Sequence, residues 1–396
     1  MLISAARIVP ATGGVLAPGY LSFEDGVITA VGSGPPPGRP DLDLPDGYLL
    51  PGLVDLQVNG YFGVELGDAD PDGWRTVARR LPQTGTTAFL PTFITSPIPQ
   101  AVDALRRAAR FVPRMGEQWS STGAVVEAPG ARVLGVHLEG PFISPERRGA
   151  HNPAWITTPD HDTVAALLDA GEGLVRVVTL APEIDGATDA IKQLTAAGVL
   201  VSVGHSDASA AQVGAAAVAG ARMVTHLFNA QRPLHHREPG VVGQALTDPR
   251  LTSGLIADLA HVAGPVAALA FAAAPGRIFL VTDAAACAGM PAGRYILGGQ
   301  PIELADADGS PPVRRDGTLA GSALRMDVAI ANMVAVGATV PEAVEAATRV
   351  PADLIGRPDL GRLATGAAAD LTWVNEEFAA QASWVAGRPA YQAGLR

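Results

Sequence analysis

Between residue 50 and about residue 350, short uncharged apolar runs alternate with Ala-rich stretches of helical character. Such alternation is what repeated βα units around a parallel sheet require. The apolar runs predict strands at Leu53–Val58, Thr86–Pro91, Val133–Leu138, Val175–Leu180, Val199–Val203, Met223–Leu227, Ser253–Ala257 and Ile278–Thr282. The intervening pattern predicts helices at Ile98–Phe111, Asp160–Ala170, Ala187–Ala197, Ser209–Ala219 and Gly264–Ala273 and, after an insertion, at Ser322–Ala335. Eight strands with interposed helices over about 300 residues match a (β/α)8 barrel. The insertion, Met290 to Thr318, reads as a hairpin or lid, and two short helices follow at Pro341–Thr348 and Ala352–Ile355.

The two chain ends have a different rhythm. LISAARIV and YLSFEDGVITAVG read as short strands joined by turn chemistry at Glu24-Asp25-Gly26, and PPPGRP then breaks the pattern. Strand character returns at Ala369–Asn375 and in the tail Ser383–Arg396. The expected division is therefore a small β-sandwich module made of 1–50 plus 368–396, and a barrel spanning 51–367. No internal repeat is visible beyond the βα alternation.

Composition narrows the function classes. With 48% hydrophobic and 17% charged residues and a mean hydropathy of +0.22, the 396-residue chain is not disordered and can bury a sizeable core. There are 28 basic residues against 39 acidic ones, for a net charge of −11. No Lys/Arg run occurs, so nucleic acid and anionic membranes are poor partners. Cys287 is the single cysteine and forms no intramolecular disulfide. MLISAARIVP lacks the features of a signal peptide, and no uncharged apolar run reaches the roughly 18 residues of a membrane span. The expected location is the cytoplasm.

In a barrel of this kind the active site lies just past the C-terminal ends of the strands. Strand one runs into Asp55-Leu-Gln57-Val-Asn59-Gly60, strand three into His137-Leu-Glu139-Gly-Pro, and strand five into Gly204-His205-Ser206. Strands six, seven and eight run into Thr225-His226-Leu-Phe-Asn229, Asp258-Leu-Ala-His261 and Val281-Thr282-Asp283. A lone strand-end histidine is more often a satisfied core imidazole than a ligand. Glu139, His205 and His226 together form a two-His, one-carboxylate set, which suits zinc or iron with an open position for water. A buried carboxylate without such a partner is costly. Asp283 could cap a helix over Ala284–Ala286, but a cap leaves the neighbouring ligand set unexplained. It is better read as the general base that takes a proton from a metal-bound water and returns it to the leaving group.

HLEGPF, GAHNP, VSVGHSDA, THLFNA, REPG, IADLAHV, LVTDA and TLAGSAL occur in this order. Together they resemble the N-acetylglucosamine-6-phosphate deacetylase family of the amidohydrolase superfamily, from PGLVDLQVNG at 51 to GRLATGAAADLTWV near 374. The resemblance implies metal-dependent hydrolysis of the acetamide of N-acetyl-D-glucosamine 6-phosphate to D-glucosamine 6-phosphate and acetate. It implies Glu139, His205 and His226 as ligands of one divalent metal, Zn2+ or alternatively Fe2+, with Asp283 as the catalytic aspartate. His151 would help polarise the amide carbonyl, with Ala150 beside it in the substrate pocket. Asn229 and Ala230 match sugar and phosphate contacts, Arg237 and His261 match groups that hold the 6-phosphate, and Asp258, Leu259 and Ala260 belong to the same substrate-binding stretch as His261. Leu319, Ala320 and Gly321 match a further substrate-contacting turn. In the family the arginine crosses a dimer interface, which implies a homodimer with Arg237 contributed by the partner.

The chain departs from the wider superfamily where Gln57-Val-Asn59 replaces a His-x-His pair. Amides are poor substitutes for imidazole ligands, so one metal per site is expected. Leu259-Ala260 stands where a glycine is expected after the aspartate. His235 and His236 are read as surface residues, Cys287 as a small packed residue near the rim and His161 as having no role. His137 is read as core, alternating away from Glu139's neighbours. The competing readings are an amidohydrolase acting on another substrate, such as N-acetylgalactosamine 6-phosphate or a cyclic amide, or a catalytically silent sugar-phosphate-binding protein. A Schiff-base isomerase or aldolase is disfavoured, because Lys192, the single lysine, falls in a predicted helix.

Overall fold

The computed structural model describes residues 1–117, 130–306 and 310–394. Residues 307–309 of the insertion and the last two residues of the expected tail strand lie outside them. Eight barrel strands, labelled β1 to β8, are Leu53–Val58, Thr86–Ile94, Val136–Glu139, Val175–Leu180, Leu200–Val203, Met223–Val224, Thr252–Ile256 and Ile278–Val281. Neighbours pair in parallel from β1 through to β8, and the short strand Arg132–Val133 adds to the edge of β2. Between β8 and β1 the ladder shrinks to a Val58–Ala284 bridge and a bond from the Asp283 amide to the Gln57 carbonyl, 2.9 Å. Side chains strengthen this seam. The Asp55 carboxylate accepts from the Thr282 hydroxyl at 2.5 Å and from the Thr282 and Gln57 amides at 3.2 Å each.

Helices His161–Gly171, Ala187–Ala196, Ala210–Ala219, Gly264–Ala273 and Met326–Ala335 surround the barrel where the pattern placed helices. The stretch Ser322–Arg325 stays out of its predicted helix, since Ser322 pairs with Asp283 and Ala284 at the rim. Two helices were not foreseen. One, Pro71–Arg80, starts where Asp70 accepts from the Gly73 amide and proline occupies the first turn. The other, Gly240–Thr247, has no side-chain cap. The insertion does form an antiparallel hairpin, Gly293–Leu297 with Gln300–Leu304.

Both chain ends supply strands outside the barrel. One four-stranded sheet comprises Leu2–Ala5, Gly19–Glu24, Val27–Ser33 and Leu42–Leu44; the other joins Tyr48–Pro51 to Leu371–Val374, Ala380–Val385 and Arg388–Gln392. Ile3, Leu21 and Ile28 from the first sheet share one apolar core with Leu49, Leu371 and Trp384 from the second.

The His137 expectation needs correction. Strand residues two apart share a face, so His137 points into the barrel beneath Glu139 rather than away from it. Its Nε2 lies 2.7 Å from the Thr179 hydroxyl, which continues to Thr225 at 2.7 Å and so to Ser202 at 2.6 Å. Burial pushes the His137 imidazole down to about 4, so it remains a neutral member of this hydrogen-bonded layer. Among the described residues no helix is long and apolar enough to cross a membrane.

Candidate active site

Glu139 ends β3, His205 follows β5 by two residues, His226 follows β6 by two, and Asp283 follows β8 by two. All four are nearly inaccessible. The last three hold left-handed backbone, with φ of 48°, 26° and 52°. For non-glycine residues such conformations cost on the order of 1–3 kcal/mol each and persist where surrounding bonds impose them. Here the turn aims each side chain inward immediately after its strand ends.

Glu139 Oε1 lies 2.9 Å from His226 Nε2 and 3.2 Å from His205 Nε2, and the two nitrogens are 3.1 Å apart. His205 Nδ1 lies 2.9 Å from the Arg147 carbonyl, which only accepts, so the ring hydrogen is on Nδ1 and a lone pair is on Nε2. Glu139 Oε1 and His205 Nε2 thus turn lone pairs toward one small space with His226 Nε2 at its third corner, and a proton or a cation must stand among them. In the protein alone a proton takes that role: burial opposes it, yet the hydrogen bond to Glu139 holds His226 above the usual histidine range. Burial likewise works against Glu139, and the two imidazoles still keep its carboxyl well below the usual range. A carboxylate and two imidazoles set around a cation-sized space fit a divalent metal ion.

His151 is close enough to join such a group, since its ligand atom and those of Glu139 and His205 lie within 4.8 Å of one another. Its bonding argues for a different part. The Thr95 amide donates to Nδ1 at 3.4 Å and the Thr95 hydroxyl is 2.7 Å from the same atom, which leaves the ring hydrogen on Nε2. Burial pushes this imidazole down to about 3, so it faces the cavity as a neutral donor.

Asp283 is held by two amides. Gln57 Nε2 donates to Glu139 Oε1 at 2.9 Å and to Asp283 Oδ1 at 3.0 Å, and Asn59 Nδ2 donates to Asp283 Oδ1 at 2.7 Å. Burial, and then the nearby Glu139 charge, raise the Asp283 carboxyl to about 6. No helix follows Asp283, so the capping alternative falls away. The side-chain oxygens Gln57 Oε1 and Asn59 Oδ1 are buried without a partner.

These groups open into a cavity of about 190 Å³. Glu139, Ala150, His151, His205, His226, Asn229, Ala230, His261, Asp283, Leu319 and Gly321 of the expected site line it. Asp258, Leu259, Ala260 and Ala320 lie outside the lining, as does Arg237, which is exposed on the loop after β6. Asp258 supports His261 instead: its carboxylate lies 2.6 Å from His261 Nδ1 and accepts from the Ala260 and His261 amides at 2.9 and 2.8 Å. Leu259 sits at φ 63°, the conformation that makes glycine the expected residue, and Asp258 fixes the loop despite its absence. Ala320 is buried beneath its turn. The cavity also has walls that sequence reasoning missed, among them Ile94, Ile256, Leu297 and Thr318. Extending the second strand past Pro91 to its end would have revealed Ile94; Leu297 and Thr318 come from the insertion and carried no local signal. Of the remaining candidates, Lys192 is exposed on its helix beside Asp189, His235, His236 and His161 are exposed, and Cys287 is buried.

A (β/α)8 barrel whose C-terminal rim carries a Glu-His-His cluster with a buried aspartate beside it defines a metal-dependent hydrolase barrel. The chain belongs to the amidohydrolase family, whose model matches residues 48–389, and that family is metal-dependent. It is 40% identical over 359 residues to the human N-acetylglucosamine-6-phosphate deacetylase, covering 87% of this chain and 84% of that protein. It is 37% identical over 373 residues to the N-acetylgalactosamine-6-phosphate deacetylase of Escherichia coli O157:H7, covering 93% and 94%. The crystal structure of N-acetyl-D-glucosamine-6-phosphate deacetylase from Mycobacterium smegmatis superposes with a TM-score of 0.89 at 34% identity, covering 99% of this chain and all of that one.

Proposed function

We propose that this protein hydrolyses the acetamide of N-acetyl-D-glucosamine 6-phosphate, giving D-glucosamine 6-phosphate and acetate. The observation that carries the reading is the meeting of Glu139, His205 and His226 with a separately held carboxylate, Asp283, in one cavity. Glu139, His205 and His226 would hold one divalent ion, zinc or iron. When bound, that ion supplies Lewis acidity, which makes water more acidic at neutral pH and polarises a carbonyl. Asp283, raised to about 6 and therefore ionised at neutral pH, takes the proton of the attacking water at its carboxylate and later delivers it to the departing amine. Gln57 and Asn59 keep that carboxylate oriented through both transfers. His151 donates from Nε2 to the oxygen that develops charge.

Asn229 and His261 line the side of the cavity suited to sugar hydroxyls and phosphate. Among the described residues no arginine or lysine lines it, although a phosphate dianion calls for a cation. Arg237 supplies one if a second subunit places it over the cavity, so the active form is a homodimer, and we assign it to the cytoplasm. The test is metal content and acetate release on one preparation, offered the sugar phosphate and its unphosphorylated analogue. About one metal per chain and release from the phosphorylated sugar alone support the reading. A metal-loaded protein that releases nothing discards this substrate.

A further inference from the structure

Ile94 closes β2 and stands in register with Glu139 on β3. Its neighbour Thr95 holds His151, so the residue lies level with the groups that would face the scissile carbonyl. Ile94 lines the reaction cavity and also a second cavity of about 100 Å³ whose walls include Phe93, Ala101, Ala104 and Trp155. Asn59 is the other residue that lines both. The hairpin turn rests on the outer side of Ile94: a Cβ at Gly298 would lie 2.3 Å from the Ile94 δ-methyl. That turn is itself tied down where the Gly298 amide donates to Glu65.

The two flanks of the reaction cavity differ in chemistry. Asn229 and His261 offer polar atoms past the ends of β6 and β7, whereas Ile94, at the end of β2 across the barrel, packs with Leu297 as an apolar wall. In an N-acetylated sugar phosphate the acyl methyl is the part with no polar atom, so it belongs against the apolar wall. We infer that Ile94 determines which acyl groups are removed, its side chain ending the acyl subsite after one carbon and separating it from the cavity behind. This rests on the deacetylase reading above. The reaction with a longer acyl chain would be unchanged: the C–N bond breaks, the water oxygen stays with the acid, and its proton passes to the amine.

The test is kcat/KM of the full-length enzyme for N-acetyl-, N-propionyl- and N-butyryl-glucosamine 6-phosphate, read by acid release. One methylene in an apolar pocket discriminates by roughly 10- to 200-fold, so the native enzyme should favour acetyl over butyryl by at least about 100-fold. Ile94→Ala should raise the butyryl-to-acetyl ratio at least about tenfold through a true gain on butyryl, with Ile94→Val improving propionyl. Adding Ala104→Leu, which fills the second cavity, should remove the gain. If acetate release persists while the ratios stay at native values in Ile94→Ala and Ile94→Val, the inference is overturned and the deacetylase reading stands. Should Ile94→Ala not fold, the propionyl ratio of Ile94→Val decides alone. If the metal-loaded native enzyme releases no acid from any of the three, both fall.

Discussion

Asn59 donates from Nδ2 to Oδ1 of Asp283 at 2.7 Å, and so an amide just past the end of β1 becomes a support for the base just past the end of β8. Gln57, two residues earlier on the same face, donates to the same oxygen. The pair therefore gives both amides a part in holding the base. Amide donors orient an ionised carboxylate without competing for its proton.

Asn59→Ala should lower kcat more than it changes KM. A hydrogen bond to a charged group contributes about 1.5–3 kcal/mol, which corresponds to roughly 10- to 150-fold in rate if it is fully felt in the transition state. Steady-state kinetics with parallel metal analysis checks this, because metal content should stay at the native level. A variant that loses metal in step with activity would make Asn59 a part of the ion site instead.

The acid limb of the pH profile should belong to Asp283. Its carboxyl is raised to about 6, chiefly by burial, and only the ionised form accepts a proton. Hence kcat/KM falls about tenfold per pH unit on the acid side of this value. A cation beside Glu139 favours the ionised form and shifts the limb downward, while Asn59→Ala removes a stabilising donor and shifts it upward. Profiles of the two proteins with one metal loaded would expose a limb that fails to move, which would assign it to another group.

Arg237→Ala should cost roughly 10- to 150-fold in kcat/KM on the phosphorylated sugar, the range for a charged hydrogen-bonded contact, and leave use of the unphosphorylated sugar unchanged. Co-expression with Asp283→Asn makes the test sharper. Each variant alone is impaired, yet a mixed dimer contains one site with the native Asp283 of one chain and the native Arg237 of the other. Recovery of activity in the mixture supports an arginine acting across the interface; its absence, with mixed dimers present, places Arg237 elsewhere.

Much of this architecture was legible because barrel strands are buried on both faces and so appear as short apolar runs. Glu139, His205 and Asp283 were legible for a related reason, being polar residues just past the points where those runs stop, and His226 as a polar residue inside one. The sixth strand shows the limit: its run reads as Met223–Leu227, but regular strand ends at Val224 and His226 takes left-handed backbone. Periodicity carries no mark for that turn. Nor does it place Leu297 and Thr318 in the cavity, since these arrive by tertiary folding of the insertion. Arg237 is a third kind of residue, exposed and outside the cavity lining, and its proposed role across an interface has no contact within one chain to support it.

The seam between β1 and β8 supplies a final prediction, on stability. Asp55 is fully buried, and burial, partly offset by the Thr282 bonds, raises its carboxyl from 3.8 to about 7. A folded value above the unfolded one means that this group's contribution to stability is full below about pH 4 and is lost as pH rises through about 7. Thr282→Val removes the 2.5 Å hydroxyl bond, leaves the carboxylate short of a donor and raises its folded value further. The cost should be about 1–3 kcal/mol where Asp55 must ionise, and smaller where it stays protonated. Thermal melts of the metal-free native and variant proteins at pH 5 and pH 8 read this directly, with the larger loss of Tm expected at pH 8. Equal losses at both would mean that Thr282 acts through packing at the seam, and that the charge on Asp55 has no part in closing the barrel.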